Sequence, residues 1–404
     1  MPDMRLKPDD PPPTFAAMRV LLAFDKFKDS LNAREACEIT ARALGANDRG
    51  WTLDLCPLAD GGEGFCDILT GAAGGQVIVS SVNGPRGEIV QATLGIVPLA
   101  SIPAAARALL ASSATPKPGA TVAVIEMASA SGLALLAESA RDPWQTTTYG
   151  TGELIRTATE LGVSAILLGV GGSATNDIGA GALAALGLSF ESARGEKIEP
   201  PIPARWREVH RITGSINPAI PPVFIACDVT NPLLGPRGAA AIYGPQKGLK
   251  AADFARLDHE TARLALLLCS YYQQPDSLME LSGAGAAGGI SFGLMAASGA
   301  KLLPGFDLVS AWLDVDARLA AADLIITGEG RFDESSLTGK GPGAIAARGL
   351  ALGKPVHVFA GQVTAAPRDN LSLHAITPPG TPLERALATA SENLAATVHR
   401  VFHT

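Results

Sequence analysis

Aromatic residues are scarce in this 404-residue chain, at 5%. So few flat rings leave few platforms on which the bases of a single-stranded nucleic acid could stack. Positive charge is not in excess either. Against 32 Lys and Arg stand 39 Asp and Glu, a formal net charge of −7, which gives no general attraction to nucleic acid or to an anionic membrane surface. The five cysteines (Cys37, Cys56, Cys66, Cys227 and Cys269) are scattered and form no Cys-x-x-Cys pair. That argues against zinc ribbons and a disulfide framework, and predicts buried free thiols in a reducing compartment, hence a cytoplasmic protein. No apolar run approaches the ~20 residues of a membrane-spanning helix. The proline-rich opening, 1–17, lacks the apolar stretch of a secretory signal. It reads as a disordered tail, with Met18 as a candidate start just before the first strand pattern.

What the chain does have is apolar mass and glycine. Hydrophobic residues make up 47%, charged residues 18%, and there are 44 glycines, a composition for packed interiors and tight loops rather than disorder. The length predicts two or three domains. RVLLAF at 19–24 is the short apolar run of a buried parallel strand. After DKFKDSL, Asn32 reads as a helix N-cap with Glu35 completing a capping box, and Ala36, Ile39, Ala43 and Leu44 recur at helical spacing. TLDLC at 52–56 reads as a second strand. The C-terminal part repeats this alternation. It has a helix over 308–320, strands at 323–327 and 355–361, a helix near 343–350, a strand near 371–376 and a terminal helix over 382–401. The middle reads as strands at 76–82, 91–97, 121–127, 164–170 and 222–227, with helices over 102–112, 150–161, 178–187 and 251–270. Asn83-Gly84-Pro85-Arg86-Gly87 marks a hairpin. The expected fold class is α/β: a doubly wound parallel-sheet domain, 18–62 plus 296–404, interrupted by an inserted mixed α/β domain over 63–295.

In an open α/β sheet, ligands bind beyond the carboxyl ends of the strands. The first strand ends in Asp25-Lys26-Phe27-Lys28-Asp29-Ser30, the second in Asp60-Gly61-Gly62-Glu63-Gly64, and the third in Gly328-Glu329-Gly330-Arg331-Phe332-Asp333. Each alone is an ordinary polar turn; three such ends on one edge point to a site. The inserted domain adds Gly171-Gly172-Ser173-Ala174-Thr175-Asn176-Asp177 ahead of a helix. Glycines there let backbone N–H groups approach an anion, and a helix N-terminus adds its dipole. It also adds Asp228-Val229-Thr230-Asn231, which suits a Mg2+ ligand, a holder of a hydroxyl, or an Asx turn before Pro232. Phosphoryl transfer calls for this combination: oxygen ligands for Mg2+, fixed cations for phosphate, and a carboxylate base for the acceptor hydroxyl.

Competing motifs are weaker. A P-loop is absent, since Gly244-Pro245-Gln246-Lys247 breaks its register. Gly169-Val170-Gly171-Gly172-Ser173-Ala174 fits the relaxed dinucleotide fingerprint, with Glu191 about 20 residues on. An NAD-dependent oxidoreductase acting on a small hydroxy acid therefore stays open, although polar Thr175-Asn176-Asp177 stand where a Rossmann helix packs its first turn. Gly283-Ala284-Gly285-Ala286-Ala287-Gly288 reads as a Gly/Ala helix start packed on a neighbour. His357, inside a strand, reads as a core residue, and the absence of a G-x-S-x-G elbow disfavours a serine hydrolase. A small-anion-binding protein that closes on its ligand is the non-enzymatic alternative.

DKFKDSL, PLADGGEGF, GTGELI, GVGGSATNDIGAG, DVTNPLLGPRGAA, GAGAAGG and DLIITGEGRFDESSLTGKGP, in this order, resemble the bacterial glycerate kinase family of type I. The resemblance runs from about Met18 to the C-terminus. It implies ATP-dependent, Mg2+-requiring phosphorylation of D-glycerate to 2-phospho-D-glycerate. It also implies a flavodoxin-like domain carrying an inserted second domain, with the active site in the interdomain cleft. On the chemistry of the side chains, Asp60 or Asp177 is the candidate base, and Lys26 the candidate catalytic cation. Lys28, Ser30, Asn231 and Arg331 are candidates for binding D-glycerate. Gly171, Gly172, Ser173, Ala174, Thr175 and Gly330 are candidates for cradling ATP, and Asp228 and Glu329 for holding Mg2+. The expected partners are these small molecules, not nucleic acid or membrane; a homodimer stays open.

Overall fold

Val20, Leu21, Leu22, Ala23 and Phe24 are all shielded from solvent, as in a strand covered on both faces. They form the first strand of a computed structural model that describes residues 18–45, 50–110, 118–338 and 341–403. The expected tail over 1–17 lies outside the described residues. The strands in chain order are β1 (Arg19–Phe24), β2 (Thr52–Leu55), β3 (Gln76–Asn83), β4 (Ile89–Pro98), β5 (Thr121–Glu126), β6 (Ala165–Gly169) and β7 (Leu188–Glu191), then β8 (Arg211–Gly214), β9 (Val223–Ala226), β10 (Lys301–Leu303), β11 (Leu324–Phe332), β12 (Val356–Val363) and β13 (Leu371–Ala375). The chain divides into two compact units, Met1–Pro57 with Ala317–Thr404, and Leu58–Asp316.

In the first unit the sheet order is β2-β1-β11-β12-β13, with every pairing parallel. Helices Ala33–Gly45 and Ala390–Phe402 pack Ala36, Ile39, Leu394 and Val398 against Val20, Leu22, Phe24 and Phe359. The helix Pro342–Ala351 lies against Ile325, whose neighbours Leu324 and Ile326 belong to that first cluster. Period-two alternation therefore puts helices on both faces. The capping box read from sequence is present: Glu35 N donates to Asn32 Oδ1 and Asn32 N to Glu35 Oε2, both at 2.9 Å. The half-buried His357 Nδ1 lies 3.0 Å from His374 Nε2, a partnered position in keeping with a core role.

In the second unit the sheet order is β10-β9-β6-β5-β4-β3. The β10–β9, β9–β6 and β6–β5 pairings are parallel, and β5–β4 and the β4–β3 hairpin are antiparallel. A separate antiparallel pair, β7–β8, adds Leu188, Phe190 and Ile212 to the same core as Ile125, Ile166, Leu168 and Ile225. β10 has only three residues, too short to be read from sequence, yet it pairs with β9. Residues 296–316 therefore belong to this unit, and the divisions fall at 57/58 and 316/317 instead of 62/63 and 295/296.

Two expected helices are broken. The one over 308–320 becomes Gly305–Trp312 and Val315–Ala321, with Asp314 between them at φ 53°. The terminal one becomes Leu383–Ala388 and Ala390–Phe402. β11 instead runs past its expected end at 327 to Phe332. No helix among the described residues is long and apolar enough to cross a membrane.

Candidate functional site

In the first unit, a cavity of about 800 Å3 opens beyond the carboxyl ends of the strands, lined in part by Asp25, Lys26, Lys28, Ser30, Glu329 and Arg331. The loop after β1 closes on itself. Phe27 N donates to Leu31 O at 2.8 Å, Leu31 N returns a bond to Phe27 O at 3.0 Å, and Asp29 takes φ 62°. Ser30, expected to bind substrate, donates its hydroxyl to Phe27 O at 3.0 Å, so it shapes this turn while lining the cavity.

Glu329 and Arg331, expected in a loop, lie on the extended β11, paired with Ala360 and Gln362. The two-residue period of a strand turns both to one face. Burial pushes the Glu329 carboxyl up to about 7; Asp25 adds to this and the Ser336 hydroxyl opposes it. Glu329 Oε1 is buried with no hydrogen-bond partner. An orphaned carboxylate oxygen near a second carboxylate fits a divalent cation, and Mg2+ in phosphate sites commonly takes only one or two protein carboxylates. Asp25 and Glu329 are the residues that would hold it. Among the described residues no three His, Cys, Asp or Glu side chains group where they could hold a metal ion.

In the second unit, the glycines of two motifs serve each other. Gly171 N donates to Gly61 O at 2.8 Å, and a Cβ at Gly171 would stand 2.6 Å from Gly62 Cα. Only glycine lets the two backbones pass this closely. Exposed Asp60 accepts from Gly62 N at 3.1 Å through Oδ1, the geometry of an Asx turn. Asp228 Oδ2 accepts from Phe306 N at 2.8 Å at the start of helix Gly305–Trp312, where a carboxylate complements the helix dipole. Asn231, expected to bind substrate, has its amide taken at both ends: Nδ2 donates to Arg237 O of its own loop and Oδ1 accepts from the Tyr243 hydroxyl of helix Ala239–Tyr243, both at 2.7 Å.

The helix expected over 178–187 is only Ala180–Ala185, and its positive end is already taken. Asp177 is fully buried. It accepts from Thr148 N at 2.8 Å, Thr148 Oγ1 at 2.9 Å, Gly179 N at 3.2 Å and Gly181 N at 3.1 Å. Burial pushes its pKa up and these donors draw it back. The helix-terminus part of the anion expectation therefore falls, because the chain's own carboxylate is the anion. Ala174 N is likewise bound, to Ser131 O at 2.9 Å.

The rest of this loop is held differently. Lys247 Nζ donates to Ser173 Oγ at 2.8 Å and to Thr175 O at 2.6 Å. Thr175 Oγ1 and both ends of the Asn176 amide are buried without a partner. The Gly/Ala helix start presses on the same segment: at Gly288, φ 74°, a Cβ would stand 2.1 Å from Thr175 O.

The dinucleotide fingerprint fails on two counts. After β6 no helix begins before Ala180. Glu191, expected to meet a ribose, is bound by Thr213 Oγ1 at 2.5 Å and Arg211 Nε at 2.7 Å across the β7–β8 pair. These bonds hold its pKa below the usual carboxylate value.

Sequence reasoning assigned no role to Lys247, which it met only as a failed P-loop, or to Glu126. Glu126 ends the apolar strand β5, and that charged last residue was its signal. Burial pushes it up to about 7. Cys66 N donates to it at 3.4 Å at the start of helix Phe65–Ala72, which has no side-chain cap of its own.

Among known proteins, the model of the glycerate kinase family matches residues 20–404. The chain is 38% identical to the glycerate kinase of Bacillus cereus (strain ATCC 10987 / NRS 248), over 95% of this chain and 97% of that one. It is 36% identical to the glycerate 2-kinase of Escherichia coli (strain K12), over 86% of this chain and 86% of that one. A crystal structure from Salmonella typhimurium LT2, described as a glycerate kinase 2, matches with a TM-score of 0.71 at 36% identity, covering 95% of this chain and 97% of that one.

Proposed function

Because this chain belongs to the glycerate kinase family, we propose that it transfers the γ-phosphoryl group of ATP to D-glycerate and releases 2-phospho-D-glycerate. The observation that carries this is the family match over 20–404, together with a cavity that Lys26, Lys28 and Arg331 share with Asp25 and Glu329. In-line transfer needs fixed positive charge around the moving group and a base at the acceptor hydroxyl. Lys26 and Lys28 supply charge to phosphate oxygens, and Arg331 to phosphate or to the carboxylate of the acceptor. Asp25 and Glu329 hold Mg2+, which when bound neutralises phosphate charge; Asp228 is retained as a further candidate ligand. Asp60, exposed, takes the proton of the acceptor hydroxyl, while Asp177, buried under four donors, positions its loop. Gly171 to Thr175 and Gly330 are the backbone against which ATP lies.

The strand order β2-β1-β11-β12-β13 supports a flavodoxin-like domain, with Leu58–Asp316 as its insertion. Free cysteines support a cytoplasmic enzyme. The test is coupled ADP release with ATP, Mg2+ and D-glycerate, followed by phosphorus NMR of the product. Folded protein without turnover above buffer defeats the kinase reading, and a 3-phosphate signal defeats the assigned product.

A further inference from the structure

Lys247 is a buried charged side chain to which the proposed reaction gives no part. It ends the short turn Pro245–Lys247, in which Lys247 N donates to Gly244 O at 3.0 Å and Leu249 N to the same carbonyl at 2.9 Å. Only 1% of the residue is exposed. An ammonium so enclosed loses its hydration, and hydrogen bonds with opposite charge must offset that loss. Of its three donors, two go to a single distant segment, at Ser173 Oγ and Thr175 O. The charged group that faces it is Asp177, buried on the same segment. Burial draws the lysine down to about 7 and Asp177 opposes this.

The segment is thus anchored at both ends, by Lys247 at Ser173 and Thr175, and by Thr148, Gly179 and Gly181 at Asp177. Between the anchors lie Thr175 Oγ1 and the Asn176 amide, buried polar groups of the kind a protein interior ordinarily satisfies. Such groups, left unpaired beside a buried cation, call for polar partners that the segment itself does not supply.

We propose that Lys247 is a positioning residue for ATP: it fixes Ser173 and Thr175 in the shape that receives the nucleotide, without touching the reacting atoms. This rests on the reading of Gly171 to Thr175 as the nucleotide contact. The test compares wild type, Lys247→Met and Lys247→Arg in steady-state kinetics, with ATP and D-glycerate varied separately and thermal melting as a check of folding. Lys247→Met is expected to raise KM for ATP about tenfold, the equivalent of losing one charge-assisted hydrogen bond. KM for D-glycerate should change by less than about twofold, and Lys247→Arg should recover part of the loss. A KM for ATP unchanged from wild type, or a rise confined to D-glycerate, overturns the proposal. Should Lys247→Met fail to fold, Ser173→Ala removes one acceptor and leaves the lysine in place; it is expected to raise KM for ATP severalfold, and an unchanged value overturns the proposal as well. Wild-type protein without turnover would instead defeat the kinase reading, so the two failures are told apart.

Discussion

The Thr148 hydroxyl donates to Asp177 Oδ2 at 2.9 Å and accepts from Ala182 N at 2.9 Å. One side chain therefore ties a buried carboxylate to the helix Ala180–Ala185, and the carboxylate in turn gathers Gly179 N and Gly181 N. Charge-assisted bonds of this kind are stronger than neutral ones, and together they make Asp177 part of the scaffold.

Asp177→Asn turns an acceptor oxygen into a donor facing other donors. It should lower the stability of the fold by about 3 kcal/mol, read by urea denaturation. Unchanged stability with lost turnover would return Asp177 to the role of base.

Asp60→Asn should behave in the opposite way. Asp60 is exposed, so the denaturation midpoint should stay near wild type while kcat falls by roughly 10²–10⁴. A near-wild-type kcat removes Asp60 from the mechanism.

Glu329, raised to about 7, must lose its proton to hold a cation. The Mg2+ concentration for half-maximal activity should therefore fall as pH rises through about 7, then level off. In Glu329→Gln that pH dependence should vanish and the Mg2+ requirement rise about tenfold. A variant that keeps the wild-type Mg2+ profile excludes Glu329 as a ligand.

Glu126 affects stability in a definite direction. Its carboxyl, raised from 4.5 to about 7, binds its proton more tightly in the folded than in the unfolded chain. Its contribution is therefore a loss of stability as pH rises from about 4.5 through about 7. Glu126→Gln stays neutral and keeps an acceptor for Cys66 N. At pH 8 it should be more stable than wild type by about 1–3 kcal/mol, with the two converging near pH 4. A constant difference at both pH values would refute this account.

Much of the fold was legible because its signals are short. The Asn32–Glu35 capping box lies within four residues, and the apolar run of β1 within six. Lys26, Lys28, Ser30, Glu329 and Arg331 were singled out because strand ends are where α/β ligands bind, and the first unit gathers them around one cavity. β10 was missed because three residues carry no period, and pairing with β9 alone makes them a strand. β11 was cut short because Gly328 and Gly330 read as a turn, whereas pairing with β12 keeps that stretch extended.

By itself, the sequence determined the local elements and the chemistry delivered at each strand end, because periodicity and capping act over neighbouring residues. Only the tertiary structure decided which donors meet which acceptors. Asp177 meets Thr148, Gly179 and Gly181, and the Lys247 ammonium reaches Ser173 and Thr175, 74 and 72 residues earlier, only in the folded chain. A buried charge is defined by the partners that replace its water, and those partners come from elsewhere in the chain.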